Sequence, residues 1–416
     1  MKKSILFVVG SLTMGGIETY ITRLCYFLRN DYSLYVLNLT SKVDSHLFLE
    51  ISKNAKIINF IDITSYKAFA RWNFSAINHS LPINFSMLDE VMHNIDFVHS
   101  VDSETNMVGA EVSRHYNAKF ITSSYHPMEY VWDNKFYFRQ VQKKLIQNID
   151  ITNIFYMNEA VKKETIDFLN IKDESDNIIP LGVNLKVYEK CTPSFGSNKI
   201  VSIGRLASFK TYNEIMIKNI DRINENNGKN FEYHIYGDGI LKDELIILAK
   251  QQKSKIVFHG GVDYEKLPNI FNDTFIFVGV GTTIIESSSA GVPSIIGIGD
   301  YNAEACYGFF SQYDNYLLGE ICTDCDIISF EEIFNDICKI DQKDYLKLSE
   351  KHRNKAKRFN IEFVAKDLVI FFNKSSSGDF NVKHSKLRYF FSNLTWLFLN
   401  RFRILNDRSA RYHTIV

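Results

Sequence analysis

A short apolar run and a glycine-rich loop stand near the start of the sequence: Ile5-Leu6-Phe7-Val8-Val9, then Gly10-Ser11-Leu12-Thr13-Met14-Gly15-Gly16-Ile17-Glu18. The run is too short for the apolar core of a signal peptide and no small-residue cleavage site follows it, so we interpret it as a buried strand. Apolar side chains at helical spacing continue from Ile17 to Leu28. This order predicts the first strand and helix of a parallel sheet. The loop between them is typical of a tight turn, or of an anion site at a helix start.

The same alternation of strand and helix patterns continues along the chain and predicts two tandem halves. Predicted strands of the first half are Ile5–Val9, Ser33–Leu39, Ile57–Ile61, Phe97–Val98 and Lys119–Thr122. Those of the second half are Ile200–Ile203, Glu232–Tyr236, Ile256–Phe258, Phe275–Val278 and Ser294–Ile296. We expect an α/β protein with two Rossmann-like, doubly wound domains, residues 1–185 and 186–359, that face a cleft.

Composition excludes several classes of protein. The chain of 416 residues has 48 Lys and Arg against 48 Asp and Glu, and this balance argues against a nucleic-acid partner. A hydrophobic content of 45% excludes wholesale disorder. Six scattered cysteines, Cys322 and Cys325 among them, are too few for a disulfide scaffold, so reduced thiols and a cytoplasmic location are expected.

The last part of the chain is predicted to differ from the body. Residues 360–373 read as one more helix, expected to pack back on the first domain, and Ser375–Gly378 as a flexible break. Residues 380–416 then carry seven basic side chains against one acidic one. We expect a basic amphipathic tail, 375–416, whose helix 384–404 lies on a membrane surface. A helix packed on the protein's own body is the alternative.

Two further loops carry candidate chemistry. Gly204-Arg205-Leu206-Ala207-Ser208-Phe209-Lys210 follows the first strand of the second half. A guanidinium and an ammonium at the carboxyl edge of a sheet suit a diphosphate, although exposed loop cations are common. Gly279-Val280-Gly281-Thr282-Thr283-Ile284-Ile285-Glu286 joins a strand to a helix, so its amides suit an anion and Glu286 a ribose diol. A first-turn carboxylate that complements the helix dipole is the simpler explanation of Glu286.

The order of seven motifs resembles the family-4 retaining glycosyltransferases of the GT-B fold. The motifs are G-G-x-E at Gly15–Glu18, Ser124-Tyr125-His126-Pro127, Ile179–Asn184, Gly204–Lys210, Tyr236-Gly237-Asp238-Gly239, Phe258-His259-Gly260, and Gly279–Ser294. The resemblance implies that Arg205 and Lys210 hold the diphosphate, that Glu286 binds the ribose, and that Gly281, Thr282 and Thr283 offer amides to the donor. It also implies that Gly15 and Gly16 approach the donor from the first domain and that His126 is a catalytic residue near the transferring sugar.

One position departs from the family pattern. The family usually has a second glutamate eight residues before the ribose-binding one, and Val278 stands there. Backbone amides that hold the sugar, an altered donor sugar and lost activity are the three explanations.

The resemblance implies a function as well. We expect an enzyme that moves a sugar with retention from a UDP- or GDP-type nucleotide sugar to a lipid-linked glycan acceptor in bacterial surface-polysaccharide synthesis. No cofactor and no metal are expected, because Arg205 and Lys210 take the place of a cation and Asp324-Cys325-Asp326 reads as surface acids. The expected location is cytoplasmic, at the inner face of the membrane. A nucleotide-sugar epimerase and a non-catalytic partner of another transferase are the alternatives.

Overall fold

A computed structural model of the chain describes residues 2–130, 133–300, 304–378 and 380–402. The chain divides into two compact units. The first contains the residues up to Gly182 and the described residues from Ile361 onward, and the second is Val183–Asn360.

The first unit has a six-stranded parallel sheet in its described residues. Its strands are β1 (Lys3–Val9), β2 (Tyr32–Asn38), β3 (Lys56–Asn59), β4 (Phe97–Ser100), β5 (Lys119–Ser124) and β6 (Ile154–Tyr156). Their order across the sheet is β3-β2-β1-β4-β5-β6, so the winding direction changes between β1 and β4. A change of direction of this kind opens a crevice at the carboxyl ends of the two strands.

Helices cover both faces of this sheet. They are α1 (Gly16–Leu28), α2 (Ser45–Ser52), α3 (Lys67–Ala70), α4 (Ser75–Asn78), α5 (Phe85–Val91), α6 (Asn106–Tyr116), α7 (Tyr137–Asn148) and α8 (Glu159–Leu169). Side chains of β1 alternate between the two hydrophobic cores: Ile5 and Phe7 pack into one, Leu6 and Val8 into the other. This explains why Ser4–Val9 is buried throughout, as a strand covered on both faces must be.

The second unit repeats the plan. Its main-sheet strands are β7 (Lys199–Ile203), β8 (Glu232–Tyr236), β9 (Ile256–Gly260), β10 (Ile276–Gly279), β11 (Ser294–Ile296) and β13 (Gly308–Phe309), while β12 (Ala305–Cys306) and β14 (Ile328–Ser329) form a separate pair. The order β13-β11-β10-β7-β8-β9 is parallel except for β13. Its helices are α9 (Tyr212–Asn227), α10 (Lys242–Ala249), α11 (Leu267–Phe271), α12 (Thr282–Ser289), α13 (Phe330–Ile337) and α14 (Gln342–Ala356). The direction of winding changes between β7 and β10.

The chain returns to the first unit through two last helices, α15 (Ile361–Lys374) and α16 (Lys386–Arg401). The helix α15 packs on the first unit: Ile361, Val364 and Leu368 join the core on the α1 side of the sheet. None of the described helices is long and apolar enough to cross a membrane.

The separate tail predicted from residue 375 is not what the structure shows for the described residues. Phe380 is buried against Phe120, and α16 packs on α7 and α4. Trp396 donates its indole N–H to Asp133 at 2.6 Å, and the side-chain amide of Asn393 is hydrogen-bonded to His79 Nε2 at 3.0 Å. One face of the helix is thus part of the first unit's body, which is the alternative left open by the sequence. The predicted residues 403 and 404 lie outside the described residues.

The thiol prediction also needs correction. Cys322 and Cys325 are joined as a disulfide within one surface loop, whereas reduced thiols were expected. The three-residue separation lets a turn bring the two side chains together. Cys25, Cys191, Cys306 and Cys338 are free thiols, as expected.

Candidate functional site

The loops after β7 and β10 meet at the point where the second sheet changes direction. The Thr283 hydroxyl, at the start of α12, donates to the Ile203 carbonyl at the end of β7, at 3.2 Å. The structure therefore places the predicted residues Gly204–Lys210 beside the predicted residues Gly281–Thr283. This is the position at which open parallel sheets bind their ligands.

Two cations occupy the loop after β7. Arg205 is exposed and Lys210 is half-buried. Gly204 has φ +154°, and a Cβ on it would lie 2.5 Å from Lys210 Nζ, so the ammonium rests against a backbone that only glycine leaves open. Burial, and then the nearby Arg205 guanidinium, lower the pKa of Lys210 to about 8. A ligand with negative charge would relieve the repulsion between the two cations.

The neighbouring Tyr236–Gly239 turn holds this loop in place. The Gly204 amide donates to the Tyr236 carbonyl and the Leu206 amide to the Asp238 carbonyl, each at 2.9 Å. A side chain at Gly237 would clash with the Gly204 carbonyl oxygen. The Tyr-Gly-Asp-Gly motif therefore acts as a support for the loop that carries the cations.

The start of α12 differs in one respect from the sequence prediction. The Gly281 amide, expected to point at the donor, donates instead to the Leu318 carbonyl at 2.6 Å. Gly281 has φ +76° and is the residue from which the helix begins. The amides of Thr282 and Thr283 stand in the first turn, where the helix dipole favours an anion.

Glu286 is buried, with 1% of its surface exposed, and lies one turn into α12. It accepts a hydrogen bond from the Tyr264 hydroxyl. Tyr264 belongs to a short turn of 3₁₀ helix after β9, and the sequence reasoning did not select it. A ribose diol at Glu286 would share or replace this hydrogen bond.

Val278 is a core residue. It is fully buried on β10 and pairs in the sheet with Ile295. A carboxylate at this position would be buried among apolar side chains, without the hydration that stabilises it in water. Val278 has no carboxylate to offer a sugar, and the loop between β10 and α12 consists of Val280 and Gly281.

A cavity of about 430 Å³ lies in the first unit, where that sheet changes direction. The loops after β1, β4 and β5 and two residues of α16 line it. Its polar lining includes Ser11, Glu18, Thr40, Lys42, Ser75, Asp102, Ser103, Glu104, His126 and Glu129. Gly16 and His126, predicted from separate motifs, are thus brought to one cavity. Gly15 precedes Gly16, and a Cβ there would collide with the Glu18 carboxylate.

His126 has a defined hydrogen-bonding role. The Met128 amide donates to His126 Nδ1 at 3.1 Å. A ring nitrogen that accepts a hydrogen bond has no proton, so the neutral imidazole carries its proton on Nε2. His126 is therefore arranged to donate a hydrogen bond from Nε2.

Glu129 holds the loop that carries His126, and the sequence reasoning missed it. It is buried and accepts hydrogen bonds from the Ser103 amide at 2.6 Å, the Tyr125 amide at 3.0 Å and the Ser124 hydroxyl at 3.2 Å. These bonds join the loop after β5 to the loop after β4. A glutamate three residues after His126 carries no periodic or motif signal that would have identified it.

The carboxylates of the cavity perturb one another. Burial, and then the Asp102 carboxylate, raise the pKa of Glu129 to about 8. Burial, and then Glu104, raise the pKa of Asp102 to about 6. The cavity therefore offers acceptor oxygens and disfavours further negative charge. A ligand rich in hydroxyl groups fits both properties.

The described residues contain no group of three or more His, Cys, Asp or Glu side chains that could hold a metal ion. The Asp324-Cys325-Asp326 triplet lies on the loop of the disulfide, with both carboxylates exposed.

Comparison with known proteins gives a family match for part of the chain. Residues 192–372, which include Arg205, Lys210, the start of α12 and Glu286, match the family described as glycosyl transferases group 1. No curated protein matches the chain in sequence.

Solved structures share the fold over nearly the whole chain. A glycosyltransferase from Rickettsia africae ESF-5 is 18% identical, with 90% of this chain and 98% of that one covered at a TM-score of 0.64. Anabaena Alr3699/HepE in complex with UDP and glucose is 13% identical, with coverages of 88% and 98% and a TM-score of 0.62. A mutant of S. aureus TarM, in complex with Fondaparinux, alpha-GlcNAc-glycerol and UDP, is 12% identical, with coverages of 89% and 100% and a TM-score of 0.61.

Two Rossmann-like units with these loops at their direction changes define a protein of the GT-B fold. Within that class, the match of residues 192–372 is to the group 1 glycosyl transferases, in agreement with the resemblance of the motif order.

Proposed function

We propose that the second unit binds a nucleotide-diphosphate sugar, of the UDP or GDP type, and that the enzyme transfers its sugar with retention. The observation that carries this proposal is the pair of cations, Arg205 and Lys210, next to the first turn of α12. HepE and the TarM mutant were each solved with UDP, and this supports a nucleoside diphosphate as the ligand.

The proposed chemistry concerns the leaving group. The bond between the sugar's anomeric carbon and the diphosphate breaks, and the new bond forms to an acceptor hydroxyl oxygen, whose proton leaves with the diphosphate. Negative charge grows on the phosphate oxygens, where Arg205, Lys210 and the amides of Thr282 and Thr283 stabilise it. In this proposal Glu286 binds the ribose after Tyr264 gives way, and His126 donates from Nε2 to an oxygen of the sugar or phosphate.

The acceptor in this proposal is a glycan, carried on a lipid, in the synthesis of a bacterial surface polysaccharide. The cavity of the first unit offers hydroxyl-binding oxygens at Asp102, Glu104 and Glu129. Its rim includes the apolar side chains Phe74 and Leu397. An acceptor with a hydroxyl-rich head and an apolar carrier fits both features, and it would place the enzyme at the inner face of a membrane.

The experiment that tests the function is turnover by the purified full-length chain. UDP- and GDP-sugars are supplied singly, and release of the nucleoside diphosphate is measured with and without a lipid-linked oligosaccharide acceptor. We expect release that depends on the acceptor for one donor. Binding of none of these nucleotides by calorimetry would contradict the proposal.

Donor affinity should depend on pH through Lys210. Its ammonium is charged below a pKa of about 8 and is lost above it, so the Kd for UDP should rise above pH 8, by at most about tenfold per pH unit. Titrations between pH 7 and 9.5 keep the phosphate charge constant, because the second phosphate pKa is about 6. Lys210→Arg is the control, since a guanidinium stays charged over this range. A wild-type Kd as flat as that of the arginine variant would contradict the assignment.

Turnover should not need a divalent metal. In the proposal Arg205 and Lys210 neutralise the diphosphate charge that a metal ion would otherwise neutralise. Neither EDTA nor added Mg²⁺ or Mn²⁺ should therefore change kcat more than about twofold. The measurement is steady-state nucleotide release by metal-stripped protein. Activity lost in EDTA and restored by either metal ion would show that Arg205 and Lys210 are insufficient.

A further inference from the structure

One face of α16 leaves a row of large apolar side chains in solvent. Leu387, Phe391, Phe398 and Phe402 are between 53% and 68% exposed. Their spacing of four, seven and four residues puts them on one side of the helix. Tyr389, Asn393, Trp396 and Asn400 form the opposite, buried side. The exposed row is therefore an apolar face that the first unit does not use for its own packing.

A second exposed set lies beside it. Tyr66, Phe69, Trp72 and Phe74, on and around α3, are between 38% and 50% exposed. Phe390 joins the two sets, because its ring centroid lies 5.8 Å from Phe69 and 5.7 Å from Phe391. We call these eight exposed residues of the two sets the aromatic surface. Single exposed apolar residues are ordinary, whereas a joined group of this size marks an interaction site.

The two segments that carry the aromatic surface contain basic residues and no acidic ones. Residues 63–88 contain Lys67 and Arg71 and no Asp or Glu. Residues 386–402 contain Lys386, Arg388 and Arg401, again with no Asp or Glu. Lys386 pairs with Glu111 at 3.5 Å, while Lys67, Arg71, Arg388 and Arg401 are exposed. Four exposed cations on these segments favour an anionic partner. A second copy of the chain would bring the same exposed cations against them, which disfavours a dimer through this surface.

The aromatic surface also borders the cavity of the first unit. Phe74 belongs to both, and Trp396 and Leu397 of α16 line the cavity as well. A partner on this surface is therefore next to the carboxylates Asp102 and Glu129.

We propose that the aromatic surface docks on an anionic lipid bilayer, with its aromatic rings at the level of the headgroups. Aromatic and leucine side chains with flanking Lys and Arg are the features that hold a protein in the interface of a membrane. This inference rests on the proposed function for its purpose, since it places the cavity where a lipid-linked acceptor would enter. The aromatic surface combines residues on α16 with residues 66–74, and neither segment is a membrane span.

Co-sedimentation of the full-length chain with vesicles tests the docking. Wild-type protein should bind vesicles containing phosphatidylglycerol, and bind phosphatidylcholine vesicles at least about tenfold more weakly, because each basic residue near an anionic surface adds to binding. Phe391→Ser/Phe398→Ser should weaken binding at least about tenfold through lost apolar burial. Ile247→Ser, a 61% exposed residue of the second unit, is the matched control and should bind like wild type.

A second variant keeps the test independent of the fold of α16. Lys67→Ser/Arg71→Ser should weaken binding to anionic vesicles and reduce its dependence on salt. The docking proposal would be overturned if wild-type protein did not bind vesicles or bound both vesicle types equally. It would also be overturned if binding were unchanged in both variants. A dimer in light scattering that both variants abolish, with no vesicle binding, would identify a second copy as the partner instead.

Failure of the docking and failure of the proposed function are distinguishable. The Phe391→Ser/Phe398→Ser variant should keep wild-type UDP affinity and wild-type transfer to a water-soluble acceptor, because neither residue lines the cavity. Its transfer to an acceptor embedded in anionic vesicles should fall at least about tenfold. No nucleotide binding by wild type would contradict the transferase proposal alone and leave the vesicle result standing.

Discussion

Arg205→Ala and Lys210→Ala are each expected to weaken binding of a nucleoside diphosphate by about 10- to 150-fold. The reason is that each change removes a charge-assisted hydrogen bond, which contributes about 1.5–3 kcal/mol. For Lys210→Ala, the loss of affinity should exceed the loss on removing an ordinary surface cation, because Lys210 is half-buried against the backbone of Gly204. Isothermal titration of UDP and GDP into wild type and both variants measures it.

A matched control separates local from general charge effects. Arg222 is an equally charged residue of the same unit, half exposed and paired with Glu304 and Glu331. Arg222→Ala should leave nucleotide affinity within about twofold of wild type, because surface ion pairs contribute little. Wild-type affinity in both Arg205→Ala and Lys210→Ala would refute the diphosphate assignment, whatever the control does.

The sequence predicted the central strands of the main sheets well because these strands are buried on both faces. Ile5–Val9 is a continuous apolar run, and Ile200–Ile203 is interrupted only by Ser202. Both are next to glycine loops, and the structure confirms both as central strands. The strands that were missed, β6 and β13, have three and two residues. Segments this short have no period to detect, and pairing with a neighbour in the sheet decides their conformation.

The loop positions of the candidate residues were predictable where a motif determines them, whereas their hydrogen-bond partners were not. Position after a strand was enough to select Arg205 and Lys210. The Leu318 carbonyl that takes the Gly281 amide, and the Tyr264 hydroxyl that bonds Glu286, come from other loops of the unit. Such contacts depend on how the loops fold on one another, which local sequence does not encode.

The interpretation of α16 was uncertain for a physical reason. Its buried side contains Asn393 and Asn400, residues that a polarity pattern assigns to solvent, and its exposed side contains Phe391 and Phe398. Asn393 is tolerated in the interior because His79 is its hydrogen-bond partner at 3.0 Å. With apolar residues on both sides of the helix, the pattern alone could not distinguish packing on the body from exposure to a membrane.

Glu129→Ala should be the most destabilising single change of the candidate site. It would leave the buried amides of Ser103 and Tyr125 without their acceptor, at a cost of about 1–3 kcal/mol each and so about 2–6 kcal/mol together. Urea unfolding followed by circular dichroism measures the loss. Glu90→Ala, an exposed glutamate of the same unit, should change stability by less than about 0.5 kcal/mol.

Glu129→Gln separates the structural contribution of this residue from its effect on His126. The carboxamide keeps one acceptor oxygen, but its NH₂ group would oppose the amide of either Ser103 or Tyr125, so the loss of stability should lie between those of Glu90→Ala and Glu129→Ala. Because Glu129 belongs to the first unit and the proposed nucleotide loops to the second, UDP affinity should stay as in wild type while kcat falls, as the loop that orients His126 loosens. Wild-type kcat in a folded Glu129→Gln variant would show that the position of His126 does not depend on Glu129.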